Sequence, residues 1–176
     1  MDIELVAEGL AFPEGPIAMA DGSVILTEIE GQVLTRVAPD GTRTTVAHTG
    51  GGPNGAAIGP DGAIWVTNNG GSFEFLKTNG LNIPGPTPAS HTGGSIQRVD
   101  LKTGKVETIY EACDGRRLVG PNDLVFDREG GFWFSDHGCG TAEGWAASCR
   151  MVWVAVFTSL VVPNAAPVLG LGANCG

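Results

Sequence analysis

A segment of 17 residues occurs three times in this chain without gaps, and this repeat limits the fold more than any other feature. The copies begin at residues 12, 52 and 120 and read FPEGPIAMADGSVILTE, GPNGAAIGPDGAIWVTN and GPNDLVFDREGGFWFSD. All three place proline second, glycine eleventh and threonine or serine sixteenth. Repetition of this kind is typical of folds that stack one supersecondary unit on the next. The chain is therefore predicted to consist of repeated units.

Each copy has the pattern of a β-hairpin. Asp21-Gly22 and Asp61-Gly62 lie between apolar β-forming residues, which is the turn chemistry of tight hairpins. A second hairpin follows the first two copies, at residues 31–47 and 94–110. Each unit then has four antiparallel strands in about 40 residues, the size of a β-propeller blade. We predict an all-β propeller of four-stranded blades, at about 12–47, 52–110 and 120–138.

Composition limits the functions open to the chain. The 28 glycines and 11 prolines favour short strands joined by many turns. A net charge of -9 argues against a nucleic-acid partner, because the phosphate backbone is also negatively charged. The four cysteines contain no C-x-x-C pair, which argues against a zinc site or a disulfide framework. The opening MDIELVAEGL lacks the apolar core of a signal peptide, so a cytoplasmic protein is expected.

Two segments depart from the repeat. Residues 69–94 form an insertion rich in glycine, proline and asparagine, which is either a functional cover or an irregular surface loop. Residues 139–176 contain only two charged residues, Glu143 and Arg150. Their apolar run MVWVAVFTSLVV is too short for a membrane span. We interpret 139–176 as an atypical apolar tail outside the repeat, either frameshifted or disordered.

Four stretches of residues 1–138 carry a resemblance to a known family. FPEGP, PNGAAIGPDGAIWVTNNGG, SIQRVDLKTGKVETIY and GPNDLVFDREGGFWFSDHG resemble the SMP-30/gluconolactonase/LRE-like family. The resemblance implies a six-bladed propeller that hydrolyses sugar lactones, or in related cases organophosphates, with a divalent metal. It also implies that the chain holds about two and a half of six blades, followed by an unrelated tail.

The same resemblance implies roles for four residues. Glu14 and Asn122 would hold the metal in the central channel. Asp123 would face the substrate and help in catalysis. Asn54, at the equivalent place in the second blade, would be a substrate-binding or outer-shell group. Apart from the resemblance, the position of His137 directly after the third inner strand makes it a further candidate for substrate contact. The remaining ligands, an Asn of a fourth blade and the Asp of a fifth that serves as base, have no counterpart in this chain.

The chemistry of these residue types agrees with a hard cation. Ca²⁺ takes oxygen ligands, and Zn²⁺, Mn²⁺ and Mg²⁺ are the alternatives. One glutamate with asparagine partners supplies several oxygens but little negative charge, so the cation could polarise a lactone carbonyl and activate the attacking water. Glu14 could also merely cap a turn, and without the resemblance Asn54 and Asn122 would be read as turn residues.

Two classes of function follow. The leading hypothesis is a metal-dependent hydrolase whose partner is a small sugar lactone, with no nucleic acid and no membrane. The alternative is a truncated, inactive propeller fragment or a non-catalytic binding module. An incomplete ring exposes strand edges, so self-association through blade edges is expected in that case.

Overall fold

The structure is a computed structural model that describes residues 4–113 and 115–138, together with the strand Val152–Val156. Every regular element in these ranges is a β-strand, which confirms the all-β prediction. The described residues contain no helix that is long and apolar enough to cross a membrane. The strands are β1 (Pro13–Ala18), β2 (Val24–Glu28), β3 (Val33–Val37), β4 (Arg43–His48), β5 (Pro53–Ile58), β6 (Ile64–Asn68), β7 (Phe75–Thr78), β8 (Leu81–Pro84), β9 (Ser95–Val99), β10 (Val106–Tyr110), β11 (Ala112–Cys113), β12 (Arg116–Arg117), β13 (Pro121–Phe126), β14 (Phe132–Asp136) and β15 (Val152–Val156).

Three antiparallel sheets follow one another along the chain. The first has the order β1-β2-β3-β4 and the second the order β5-β6-β9-β10. Both therefore have the four-stranded pattern of a propeller blade. The third sheet has the order β13-β14-β15. The sheets do not close into a ring within the described residues, and the number of blades in a complete ring stays a prediction.

The Asp-Gly pairs form the hairpin turns that the sequence predicts. Gly22 and Gly62 have φ angles of 81° and 76°, in the left-handed region that glycine enters without steric cost. Asp21 accepts a hydrogen bond from the backbone N–H of Ser23 at 3.1 Å, which stabilises the turn locally. These turns set the register of β1 with β2 and of β5 with β6.

The third sheet includes a strand from the segment that the sequence analysis placed outside the repeat. β15 pairs antiparallel with β14, with Val154 opposite Phe134. This is the position of the third strand in the two preceding sheets. The predicted tail includes Val152–Val156, whereas in the structure this strand extends the third sheet. A run of β-branched residues can pair with an open sheet edge whatever the composition around it. The other residues of 139–176 lie outside the described residues.

The core lies between neighbouring sheets. Ile25 and Leu34 of the first sheet pack with Ile64 and Val66 of the second. The other face of the second sheet presents Trp65 to a second cluster, which includes these residues of the third sheet: Leu124, Phe132 and Phe134. Trp133, which the sequence also places on a strand, lies on the opposite face of β14 and is half-buried. The sheets are thus stacked face to face through apolar side chains, as in a propeller.

The first strands of the three sheets share an irregularity that no periodic pattern predicts. β5 contacts both β1 and β13, so these inner strands lie side by side. In each, the pairing with the second strand shifts near its start, which is the signature of a β-bulge. The shifts lie between Glu14 and Ile17, between Pro53 and Ala56, and between Pro121 and Leu124.

Candidate metal and substrate site

The three bulges border one cavity of about 200 Å³. Because β1, β5 and β13 are neighbours, side chains at the same position of the repeat meet there. Four of the residues predicted to form the site are brought together at this cavity. The lining consists of Glu14, Gly15, Pro16, Asn54, Gly55, Asn122 and Asp123.

Two glycines allow the inner strands to approach closely. A Cβ atom on Gly15 would lie 2.6 Å from the backbone nitrogen of Ala56, and a Cβ atom on Gly55 would lie 2.6 Å from the Cα atom of Asp123. Both distances are shorter than van der Waals contact allows, so only glycine fits. In the third strand Asp123 stands at the corresponding position, and its side chain lines the cavity instead.

The threonine of the repeat connects neighbouring inner strands. The Thr27 hydroxyl lies 3.0 Å from the carbonyl oxygen of Glu14 and also donates to the carbonyl oxygen of Asn54 in the next sheet. Thr67 repeats this arrangement one sheet further on. It accepts the N–H of Gly55 at 2.8 Å and donates to the carbonyl oxygen of Asn122 at 2.8 Å. These buried hydroxyls fix the backbone that carries the site residues.

Replacing Thr67 with valine should lower the free energy of unfolding by about 1–2 kcal/mol, because the shape is kept while buried backbone groups lose their hydrogen-bond partner. Urea denaturation followed by tryptophan fluorescence measures the change. Thr45→Val is the matched control, since Thr45 is exposed on β4 and should change stability by less than about 0.5 kcal/mol. Equal losses in the two variants would contradict the bridging role of Thr67.

The polar side chains of the cavity differ in burial and in partners. Glu14 is exposed, and within the described residues no protein group hydrogen-bonds its carboxylate. Asn54 is buried, with 6% of its surface exposed, and donates from Nδ2 to Oδ1 of Asn122 at 2.9 Å. Asp123 accepts the backbone N–H of Leu124 on Oδ1 at 2.8 Å. Two carboxylates and two carboxamides therefore converge from three strands.

This set of donors fits a hard cation. Carboxylate and carboxamide oxygens are the ligands that Ca²⁺ prefers. A bulge in each inner strand re-aims its side chain, so that the three strands can present these oxygens to one cavity. In the described part of the chain, no group of three or more His, Cys, Asp or Glu side chains is placed to hold a metal. Cation binding at this cavity would therefore depend on the amide oxygen of Asn122 as well as on the carboxylates.

His137 is not among the residues that line the cavity. Its ring stacks on Phe73 of the insertion, with centroids 5.4 Å apart, and its backbone N–H donates to the carbonyl oxygen of Gly120 at 3.0 Å. Burial lowers the pKa of the imidazole, and the nearby Asp136 carboxylate opposes this effect. His137 is thus held against the insertion, and its contact with a substrate stays a prediction.

The last residue of each second strand has a structural role that the sequence analysis did not assign. Glu28 accepts the N–H of Ala11 at 2.6 Å, and Asn68 accepts the N–H of Gly52 at 2.9 Å. Asp136 accepts the N–H of Gly120 at 2.8 Å. In each of these three sheets this side chain anchors the loop that leads into the inner strand. Its position in the repeat, directly after the threonine or serine, is the signal that could have identified it.

The insertion at 69–94 connects all three sheets. It contains the hairpin β7–β8, where Phe75 packs against Phe12 with centroids 5.0 Å apart and Asn82 hydrogen-bonds Glu30. Near its other end, the N–H of Gly94 donates to the carbonyl oxygen of Leu118 at 2.9 Å. The insertion is therefore an ordered strap on the side where the inner strands begin.

Comparisons with known proteins agree with this architecture. A curated gluconolactonase of Zymomonas mobilis subsp. mobilis is 24% identical over 148 residues, which are 76% of this chain and 35% of that protein. The solved gluconolactonase of Xanthomonas campestris aligns with a TM-score of 0.61 at 20% identity, over 93% of this chain and 48% of that one. A protein of unknown function from Bacteroides caccae aligns with a TM-score of 0.55 at 13% identity, over 80% of this chain and 44% of that one.

The chain spans about a third of the length of the curated relative and about half of the solved gluconolactonase. At these identities the structural likeness shows the fold, which is the predicted propeller architecture. The family model described as the SMP-30/gluconolactonase/LRE-like region matches residues 12–164, and this range includes β15. Because the model matches most of the sequence, the chain belongs to the SMP-30/gluconolactonase/LRE-like family.

Proposed function

We propose that the cavity between β1, β5 and β13 is the metal and substrate site of a hydrolase that acts on sugar lactones. The observation that carries the proposal is the convergence of Glu14, Asn54, Asn122 and Asp123 on one cavity. The similarity to gluconolactonases supports the choice of substrate class.

Glu14 and Asn122 are the residues that would hold the cation, and Ca²⁺ is the first candidate because all the donors are hard oxygens. Zn²⁺, Mn²⁺ and Mg²⁺ are the alternatives. When bound, the cation would supply Lewis-acid polarisation of a lactone carbonyl. A carboxamide adds an oxygen without adding charge, so Asn122 binds the cation without neutralising it.

The other side chains of the cavity suit a polyhydroxylated substrate. Asp123 has one oxygen fixed by the N–H of Leu124, which leaves its second oxygen to accept a hydrogen bond from a sugar hydroxyl or a proton from water. The Asn54 side chain donates from its nitrogen to Asn122, which leaves its oxygen to accept from another hydroxyl. A sugar lactone carries several hydroxyl donors, which match this row of acceptors.

Hydrolysis of D-glucono-1,5-lactone by the purified chain tests the proposal. The rate should exceed spontaneous hydrolysis, fall to the spontaneous rate in EDTA, and return on addition of Ca²⁺. Asn122→Ala should remove most of the metal-dependent rate. A rate equal to that of buffer at every metal concentration would contradict the proposal and favour a non-catalytic fragment or binding module.

A further inference from the structure

The backbone of the buried residue Asn54 is held at several points by its neighbours. Its backbone carbonyl oxygen accepts the Thr27 hydroxyl, and its strand is packed against β1 and β13 through Gly15 and Gly55. Its side chain donates across the boundary between two sheets to Oδ1 of Asn122. The backbone of Asn54 is therefore fixed, and its side chain is a hydrogen-bond donor to Asn122, a residue that is only half-buried.

A carboxamide has two ends of similar shape and opposite hydrogen-bonding character. Rotation by about 180° exchanges the oxygen and the nitrogen of Asn122 at little steric cost. The N–H of Asn54 binds an oxygen and repels an N–H group, so it selects one of the two orientations. Oδ1 of Asn122 has two lone pairs, and the hydrogen bond from Asn54 occupies one of them. The second lone pair remains for a ligand.

We propose that Asn54 is a positioning residue for Asn122. Its amide N–H fixes the Asn122 carboxamide in the orientation that keeps Oδ1 available as a cation ligand beside Glu14. The cation part of this inference rests on the proposed function of the cavity, whereas the orientation of Asn122 does not.

Asn54→Asp distinguishes a residue that orients Asn122 from one that only borders the cavity. Aspartate has the shape of asparagine, but its carboxylate only accepts hydrogen bonds. If Asn54 merely lined the cavity, the added negative charge would strengthen Ca²⁺ binding. In the positioning role, Asn122 turns to donate its Nδ2 to the new carboxylate, and its oxygen leaves the ligand position. Ca²⁺ binding then weakens although the cavity has gained negative charge.

Titration calorimetry with Ca²⁺ on the full chain measures the effect. Asn54→Ala and Asn54→Asp should each weaken binding by about tenfold, the lower end of the range for residues that orient a metal ligand. In a chain that already carries Asn122→Ala, the further change Asn54→Ala should leave the Ca²⁺ affinity unchanged, because Asn54 acts on the cation only through Asn122. Additive losses in the double variant, or tighter binding by Asn54→Asp, would overturn the inference.

Asn82→Ala is the matched control for these titrations. Asn82 also donates its side-chain amide to a neighbouring oxygen, on Glu30, but it does not line the cavity. Its replacement should leave the Ca²⁺ affinity unchanged. A tenfold loss in this variant would show that any lost amide hydrogen bond weakens binding, and would overturn the specific role of Asn54.

The order of the Asn122 side chain in metal-free protein provides a readout that is independent of the proposed function. In the wild type, ¹⁵N relaxation should show that the side-chain NH₂ group of Asn122 is restricted in its motion. In Asn54→Ala the same measurement should show a mobile group. If the wild-type chain fails to bind Ca²⁺, the proposed function fails while this measurement still decides the role of Asn54. Unchanged Asn122 order in Asn54→Ala would overturn the inference.

Discussion

Replacing Glu14 with glutamine should weaken Ca²⁺ binding by about 100-fold and reduce metal-dependent lactone hydrolysis in parallel. Glu14 and Asp123 are the two negatively charged residues in the lining of the cavity, and Oδ1 of Asp123 already accepts a backbone N–H. Glutamine keeps the shape of the side chain but removes the charge. A unit charge a few ångströms from a divalent cation contributes attraction of this order even when solvent screens part of it. Calorimetric titration at fixed ionic strength measures the affinity.

Glu129→Gln is the matched control for Glu14→Gln. Glu129 is exposed in the turn between β13 and β14, and it does not line the cavity. The two variants change the net charge of the protein equally, so a general electrostatic effect would weaken Ca²⁺ binding equally in both. We expect the Glu129 variant to bind as the wild type does. Similar losses in both variants would contradict a direct ligand role for Glu14.

The repeat predicted the convergence of the site because it aligned three positions that a propeller brings together. Glu14, Asn54 and Asn122 occupy the same place in three copies, and the structure places all of them at one cavity. Equivalent residues of stacked units must face the same direction, so this part of the prediction needed no knowledge of packing. The Asp-Gly turns could be predicted for a similar reason, since they depend on two adjacent residues.

Features that depend on contacts between distant residues could not be predicted in the same way. The hydrogen bond between Asn54 and Asn122 joins two sheets, and its direction depends on amide orientations that no spacing encodes. Phe73 stacks on His137 because the insertion folds back over the third sheet. The pairing of β15 with β14 was missed because composition reports the average character of a segment, whereas pairing depends on a few residues meeting an open edge.

The close approach of the inner strands makes Gly55 a residue at which a small change should have a large effect on stability. A Cβ atom on Gly55 would lie 2.4 Å from Oδ1 of Asp123 and 2.8 Å from the carbonyl oxygen of Asn122. The second of these is backbone, so no side-chain rotation removes the overlap. Gly55→Ala should lower the free energy of unfolding by about 3 kcal/mol, at the upper end of the range for overpacked sites. Urea denaturation measures this loss.

Gly62→Ala is the control for Gly55→Ala. It separates the effect of strand packing on stability from the effect of replacing any glycine. Gly62 has a φ of 76° and open space around its Cα atom, so an added methyl group meets only backbone strain of about 1 kcal/mol. Gly55→Ala should exceed this loss and should also weaken Ca²⁺ binding, because relief of the overlap requires β13 to move with Asn122 and Asp123. Gly62 lies in a turn outside the cavity, so its variant should bind Ca²⁺ normally. A Gly55 variant with wild-type stability would mean that the inner strands are farther apart than the convergence of the site requires.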